Sequence, residues 1–276
     1  MPDAQPSRMQ HHFIEGVPRL HYSLSGQGDL PTLVLLHGST QHARAWDDVA
    51  PKLPEYRVAA LDLRGHGESE WNGAYSPDDY LNDVDRLIDV LDVPSVALAG
   101  HSMGSLIAMR YTAARPDRVS AAIFVDIDAR PPDSQGENLH RAGARDGLSF
   151  DSSDEAWARV TRLRPDAQDD AVERIMAANF LPRGGGYIEG YDRQTLAQFA
   201  PWDNRELLTG IECPTLVLRG GASMVHSRDA ADEMMRTLPN GRFHEFPNLS
   251  HLLHLEQPEQ IAAAMHGFLR ETGNGA

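Results

Sequence analysis

The chain has 276 residues, enough for one large domain or for a domain with an inserted cap. Its formal charge of -15 argues against nucleic acids and anionic membranes as partners. Because neither a signal peptide nor an apolar run long enough to span a membrane is visible, the sequence predicts a cytoplasmic protein. The single cysteine, Cys213, excludes an intrachain disulfide and precedes an apolar run, as expected of a buried structural thiol.

The first hundred or so residues predict strands that are covered on both faces. Two short strands are expected within residues 13–25, and continuous apolar runs follow at 32–36, 57–62 and 96–99. Apolar side chains at helical spacing occupy residues 80–91. Because continuous rather than alternating hydrophobicity is typical of parallel strands, this alternation with helices predicts an α/β fold with a doubly wound, mostly parallel sheet.

The run at 96–99 leads into Gly100-His101-Ser102-Met103-Gly104, and the residues after it are predicted to be helical. A strand that turns into a helix through G-x-S-x-G is typical of a nucleophile elbow, with the serine hydroxyl exposed at the turn. Both glycines are required, because a Cβ two residues either side of the serine would clash in so sharp a reversal. Ser102 is therefore a candidate nucleophile that needs a base to remove its proton.

The alternation of strands and helices is interrupted in the second half of the chain. A strand is predicted at 119–125, but from about residue 133 to 205 the pattern is helical and polar, clearest at 154–163 and 169–180, with a hinge or loop at 182–186. Aromatic residues concentrate in this segment, which favours a cap over the carboxyl edge of the sheet; a plain helical layer is the alternative. The strand pattern resumes at residue 214, and the last predicted helix covers residues 258–269.

With its strands, helices and motifs in this order, the chain resembles the α/β-hydrolase fold family over nearly its whole length. The stretches that carry the resemblance are Leu35-Leu36-His37-Gly38, Asp62-Leu63-Arg64-Gly65-His66-Gly67-Glu68-Ser69, Gly100-His101-Ser102-Met103-Gly104 and His251-Leu252-Leu253-His254-Leu255-Glu256-Gln257-Pro258-Glu259. Each lies at the end of a predicted strand. The resemblance implies a hydrolase core of residues 1–132 and 206–276, with a helical cap of residues 133–205 inserted after the sixth strand.

The resemblance also implies which residues carry the chemistry. Ser102 matches the nucleophile and His251 the base, whereas His254, one helical turn further on, is the alternative base. Two backbone N–H groups would form the oxyanion hole. One belongs to Met103, at a helix start where the dipole favours negative charge, and the other matches Ser39.

The acid departs from the common pattern of the family, in which it follows the seventh strand. The corresponding loop, residues 221–227, holds no carboxylate, and Asp229 lies where it would cap a helix. A known variant of the family takes its acid from the end of the sixth strand, where Asp126 is found. Asp126 is therefore predicted to fix the tautomer of His251, and Asp128, which has the same parity along an extended chain, is the alternative.

These expectations describe acyl transfer to water from a small-molecule substrate, with no metal and no organic cofactor. Serine at the nucleophile position disfavours the dehalogenases and epoxide hydrolases of the family, which use aspartate there. The leading substrates are esters or lactones of small apolar or aromatic molecules; carbon–carbon hydrolysis of a ring-fission product and ligand sensing with little turnover are the alternatives. The residues expected to line the substrate pocket are Trp157, Tyr187, Tyr191, Trp202, Met224 and Leu252.

Overall fold

The computed structural model describes residues 9–199 and 202–273. The strands are β1 (Gln10–Ile14), β2 (Leu20–Ser25), β3 (Thr32–Leu36), β4 (Arg57–Leu61), β5 (Val96–His101), β6 (Val119–Val125), β7 (Ser149–Phe150), β8 (Phe180–Arg183), β9 (Gly186–Glu189), β10 (Thr215–Gly220) and β11 (Gly241–Phe246). The helices are α1 (Pro77–Leu91), α2 (Met103–Ala114), α3 (Asp133–Gly143), α4 (Ser153–Leu163), α5 (Asp169–Asn179), α6 (Gln194–Ala197), α7 (Arg228–Thr237), α8 (Leu253–Glu256) and α9 (Pro258–Glu271). Short 3₁₀ helices lie at Ala43–Trp46, Ala50–Lys52, Pro116–Arg118 and Arg205–Gly210.

Within the described residues, eight strands form one sheet in the order β1-β2-β4-β3-β5-β6-β10-β11. β1 and β2 run antiparallel to their neighbours. The other six strands of this sheet, β4, β3, β5, β6, β10 and β11, are parallel. The predicted doubly wound, mostly parallel sheet is therefore confirmed. Because parallel strands end at one edge, the segments that follow β3, β5, β6 and β11 meet there.

The side chains of each central strand alternate between two hydrophobic layers. In β3, Val34 and Leu36 pack in the layer that includes α1 and α2, whereas Leu33 and Leu35 pack in the layer that includes α9. All four side chains are fully buried. This burial on both faces explains why the strand reads as a continuous apolar run.

The segment between β6 and β10 holds α3 to α6 and, within the described residues, a small antiparallel sheet in the order β7-β9-β8. The bounds of α4 and α5 agree to within one residue with the helices predicted at 154–163 and 169–180. The prediction of a hinge or loop at 182–186 was wrong, because these residues complete a hairpin in which Arg183 pairs with Gly186. Gly184 and Gly185 have φ values of 62° and 89°, which a tight two-residue hairpin turn requires of both positions.

Backbone hydrogen bonds fasten this inserted segment to the carboxyl edge of the main sheet. The amide of His42 donates to the carbonyl of Ala178 over 3.0 Å, and the amide of Gly67 donates to the carbonyl of Gly190 over 2.7 Å. Its position after the sixth strand agrees with the expected cap, while the division into core and cap domains stays a prediction. No helix in the described ranges is both long and apolar enough to cross a bilayer.

The turn between β5 and α2 is as tight as the two glycines of the motif indicate. A Cβ at Gly100 would lie 2.5 Å from the amide nitrogen of Ser105, and a Cβ at Gly104 would lie 2.5 Å from the carbonyl oxygen of Leu36. Both contacts involve backbone atoms, which cannot rotate away. The elbow therefore tolerates no side chain at either position.

We expect Gly100→Ala to lower the free energy of unfolding by about 2–4 kcal/mol, because the added methyl group forces β5 and α2 apart. Gly267 is the matched control, since it is exposed in the middle of α9 and a Cβ there would meet nothing within 4 Å. Gly267→Ala should raise stability by about 0.5–1 kcal/mol. Urea unfolding followed by circular dichroism measures both; an unchanged midpoint for Gly100→Ala would contradict the steric argument.

Candidate active site

Ser102 lies at the tip of the turn between β5 and α2, with φ 51° and ψ -119°. Such a conformation is rare for a residue with a side chain and costs about 1–3 kcal/mol. The neighbouring strand holds it in place, because the amide of Ser102 donates to the carbonyl of Val125 over 2.9 Å. The side chain lines a cavity of about 470 Å³ between the main sheet and the inserted segment.

His251 follows β11 and lines the same cavity. Its Nδ1 donates a hydrogen bond to Oδ2 of Asp126 over 2.7 Å, so Nε2 is left as the acceptor of the neutral ring. Asp126 directly follows β6 and is fully buried, whereas the side chain of His251 is 20% exposed. Of the two carboxylates that the sequence left open, the structure brings Asp126 to the histidine.

Three donors surround the carboxylate of Asp126. Besides His251, the amide of Gly220 donates to Oδ1 over 2.8 Å and the hydroxyl of Ser223 donates to Oδ2 over 2.5 Å. Burial alone would raise the pKa of Asp126, but the hydrogen bond and charge of His251, together with the bonds from Ser223 and Gly220, lower it below its usual value. The group is therefore held ionised although water does not reach it.

Asp128 points to a different neighbour. Its Oδ1 accepts a hydrogen bond from the amide of Ser227 over 3.1 Å and lies 3.9 Å from Nε2 of the buried His226. Burial raises the pKa of Asp128 to about 6, and the charge of Asp126 acts in the same direction, against the bond from Ser227. Asp128 thus braces the loop that begins α7.

The alternative base, His254, is fully buried beneath the cavity. Its ring lies 4.2 Å from the ring of His101 and 4.8 Å from that of Trp46, measured between centroids. Burial, with the nearby histidines, lowers its pKa well below the usual value. His101 lies between the two histidines, and its Nε2 donates to the carbonyl of His251 over 2.8 Å, which fixes the loop that carries the His251 ring.

Ser39 and Met103 follow the ends of neighbouring strands, because β3 pairs with β5, with Leu36 opposite Gly100. Neither amide donates a hydrogen bond to any residue that the structure describes. The carbonyl of Ser39 is fixed by Nε2 of His66 over 3.0 Å. Met103 is the first residue of α2, where free amides and the helix dipole favour an anion.

The cavity that contains Ser102 and His251 has a lining different from the one expected. Of the six aromatic and apolar residues proposed from the sequence, Tyr191 and Leu252 line it. Trp202 is buried in the core instead, stacked on Phe199, and Met224 is completely exposed. For Trp202, composition does not show which way a side chain in the inserted segment points; Met224 lies outside that segment, in the loop after β10.

Trp157 and Tyr187 are half-buried against the edge of the second hydrophobic layer and do not line the cavity among the described residues. Polar and charged residues that were not expected from the sequence do line it, among them Arg159, Arg164, Asn179 and Glu189. The helical spacing of residues 154–163 places Arg159 beside the buried Val160. Nothing in that spacing indicates that this face meets the active-site edge of the sheet.

A family model described as the alpha/beta hydrolase family matches residues 33–264. The chain belongs to the alpha/beta hydrolase family. The matched residues include the elbow, the strands β5 and β6, and the loop that carries His251.

Several curated relatives of this alpha/beta hydrolase are named as hydrolases, esterases or lipases. The (E)-2-((N-methylformamido)methylene)succinate hydrolase of Acinetobacter baylyi is 28% identical over 91% of this chain and 94% of its own. An esterase of Mycobacterium tuberculosis is 28% identical over 88% of this chain and 84% of its own. The solved structure of E-2-(acetamidomethylene)succinate hydrolase has the same fold, with a TM-score of 0.85 and 24% identity over 95% of this chain and 99% of that one. Family and relatives together support hydrolase activity.

We expect Asp128→Asn to stabilise this alpha/beta hydrolase increasingly as the pH rises. The folded pKa of about 6 lies above the usual value of 3.8, so the folded state binds the proton more tightly and wild-type stability falls between these pH values. Asparagine does not titrate, so the difference in unfolding free energy should grow from pH 4 to about 6 and then stay level. Urea unfolding across this range measures it; a difference that does not vary with pH would contradict the burial of this charge.

Proposed function

We propose that this alpha/beta hydrolase is a serine hydrolase that cleaves an ester or a lactone through an acyl-enzyme. The observation that supports it most is the 2.7 Å hydrogen bond from Nδ1 of His251 to a buried, ionised Asp126. That bond gives His251 the tautomer whose free Nε2 can take a proton, in the cavity that Ser102 also lines. The two unpaired amides supply a place for the negative charge that develops.

In the first half of the reaction the oxygen of Ser102 attacks the ester carbonyl while Nε2 of His251 takes the hydroxyl proton. The former carbonyl oxygen becomes an oxyanion that accepts hydrogen bonds from the amides of Ser39 and Met103. When the carbon–oxygen bond of the ester breaks, His251 returns the proton to the leaving alcohol. In a lactone the alcohol stays attached to the acyl group.

In the second half, water replaces the alcohol. His251 takes a proton from the water, the new oxygen attacks the acyl carbon, and the same two amides hold the second oxyanion. The bond to Ser102 then breaks, and the proton returns to the serine. Asp126 stays ionised throughout and stabilises the imidazolium that forms in each half.

The strained backbone at Ser102 has a role in this scheme. Its φ of 51° lets the turn project the hydroxyl while α2 begins at once with a free amide. The nucleophile and one oxyanion donor therefore belong to adjacent residues. Removing one donor of this type typically lowers the rate by about 100-fold to 1000-fold.

A second candidate function has support from the names of two relatives. The Acinetobacter baylyi hydrolase is named for a methylenesuccinate that carries an N-methylformamido group, and a Mesorhizobium japonicum hydrolase for one that carries an acetamido group. Hydrolysis of such an acid, or carbon–carbon hydrolysis of a ring-fission product, would use the same nucleophile, base and amides with a different leaving group. Ligand sensing, the third possibility from the sequence, differs from both in that turnover would be slow or absent.

We expect a fluorophosphonate probe to label the wild-type protein at Ser102 and p-nitrophenyl esters to be turned over many times. Ser102→Ala should lose both, while Ser153→Ala, a control at an exposed serine outside the cavity lining, should keep both. Gel fluorescence and steady-state release of p-nitrophenol provide the two readouts. Release of one equivalent of p-nitrophenol with no further turnover would contradict an enzyme and favour a sensor.

Asp126→Asn should lower kcat by about 1000-fold to 10,000-fold, because an amide holds the wrong tautomer of His251 and cannot stabilise its charged form. Asp128→Asn is the matched control and should retain activity, since Asp128 contacts the loop before α7 instead. Steady-state rates on the same ester compare the two variants, with circular dichroism to verify folding. Loss of activity in Asp128→Asn alone would reverse the assignment.

A further inference from the structure

Two arginines line the same cavity as Ser102 and His251. Arg159 lies on α4, and Arg164 follows the last residue of that helix. They share a helical face with Val160 and Leu163, which also line the cavity. In a protein whose formal charge is -15, a catalytic cavity bordered by two cations calls for an explanation.

Neither guanidinium has a partner among the described residues. No carboxylate lies within 4.0 Å of either group, and neither donates a hydrogen bond to a side chain or a carbonyl there. The Nε of Arg159 is moreover buried from water without a partner. A buried donor that is left unpaired costs stability, so such groups usually have a partner, which at the edge of a cavity can be a ligand.

The carboxylate in the lining does not neutralise these cations. Oε1 of Glu189 accepts from the hydroxyl of Tyr191 over 2.8 Å, and Oε2 accepts from Arg193 and from the amide of Leu148. Glu189 is therefore paired with Arg193 and not with Arg159 or Arg164. The charge left over in the cavity is positive.

The inserted segment also contributes apolar side chains to the lining, Leu139, Val160, Ile175 and Phe180, together with the uncharged polar groups of Gln135, Asn138 and Asn179. A ligand that fits this lining has a short carbon skeleton and an anionic end. A guanidinium presents its N–H groups in a planar fork that matches the two oxygens of a carboxylate. This combination differs from the neutral apolar substrate that the sequence predicts.

We propose that the cavity selects substrates that carry a carboxylate in addition to the bond that is hydrolysed, with Arg159 and Arg164 as the residues that bind it. The proposal rests on the proposed function in that the scissile carbonyl is placed at Ser102. It adds a substrate class, acidic monoesters and related acids, and a pair of specificity-determining residues. A charge-assisted hydrogen bond of this type corresponds to about 10-fold to 100-fold in affinity or in kcat/KM.

The test compares esters that differ only in the anionic end. Monomethyl succinate, monomethyl glutarate and monomethyl adipate are each paired with the neutral ester of similar length: methyl butyrate, methyl valerate and methyl hexanoate. Hydrolysis is followed by pH-stat titration. For at least one pair, the wild-type protein should have a kcat/KM that is about 10-fold or more higher for the acidic ester.

The variants assign that preference to the two arginines. Arg159→Gln and Arg164→Gln should each lower the acidic-to-neutral ratio of kcat/KM by about 10-fold or more, and the lysine variants, which keep the charge, should retain part of it. Arg162→Gln is the matched control, because Arg162 is exposed on the same helix and does not line the cavity. Its ratio should equal that of the wild type. Because each value is a ratio, a general loss of active protein cancels.

The outcomes separate this proposal from the proposed function. Hydrolysis of esters with a wild-type ratio near one, or a ratio that neither glutamine variant changes, would overturn the carboxylate site and leave the serine hydrolase standing. Absence of turnover and of fluorophosphonate labelling would instead overturn the proposed function. In that case calorimetric binding decides: tighter binding of monomethyl glutarate than of methyl valerate, weakened about 10-fold by Arg159→Gln and Arg164→Gln, supports the site, and equal binding overturns it.

Discussion

The hydrogen bond between His251 and the buried carboxylate of Asp126 is the interaction on which the candidate site depends. It joins the end of β6 to the loop after β11, although β10 lies between these strands in the sheet. β10 makes the connection possible in two ways. The amide of Gly220 holds the other carboxylate oxygen, and the missing Cβ of this glycine lets the loop before His251 approach, since a Cβ would lie 2.5 Å from the carbonyl of Leu249.

The main sheet, the elbow and the choice of Asp126 as a candidate acid could be predicted because each depends on short stretches of sequence. Continuous apolar runs report burial on both faces, and Gly100 and Gly104 report a steric limit that any chain must meet. The cavity lining could not be predicted in the same way. Trp202 lies in the core because the docking of the inserted segment, rather than local spacing, decides which of its side chains face Ser102, and Met224, in the loop after β10, lies in solvent.

The distribution of charge shows a similar contrast between the whole chain and one place within it. A formal charge of -15 describes the field at a distance and disfavours nucleic acids and anionic membranes as partners. Inside the cavity, water is partly excluded and nearby groups dominate, so two unpaired guanidinium groups outweigh carboxylates that lie on the surface. A net charge is therefore a poor guide to the charge of the molecule that enters the site.

Three backbone hydrogen bonds join the inserted segment to the loops after β3 and β4. His42 and Gly67 donate their amides to carbonyls of the segment, and Asp192 donates its amide to the carbonyl of Gly65. Main-chain groups are the same in every residue except proline, so substitutions along α4 leave these attachments intact. Half-buried positions of α4 at the cavity can therefore accept other side chains without loss of these three bonds, while the serine, the histidine and the carboxylate keep their places.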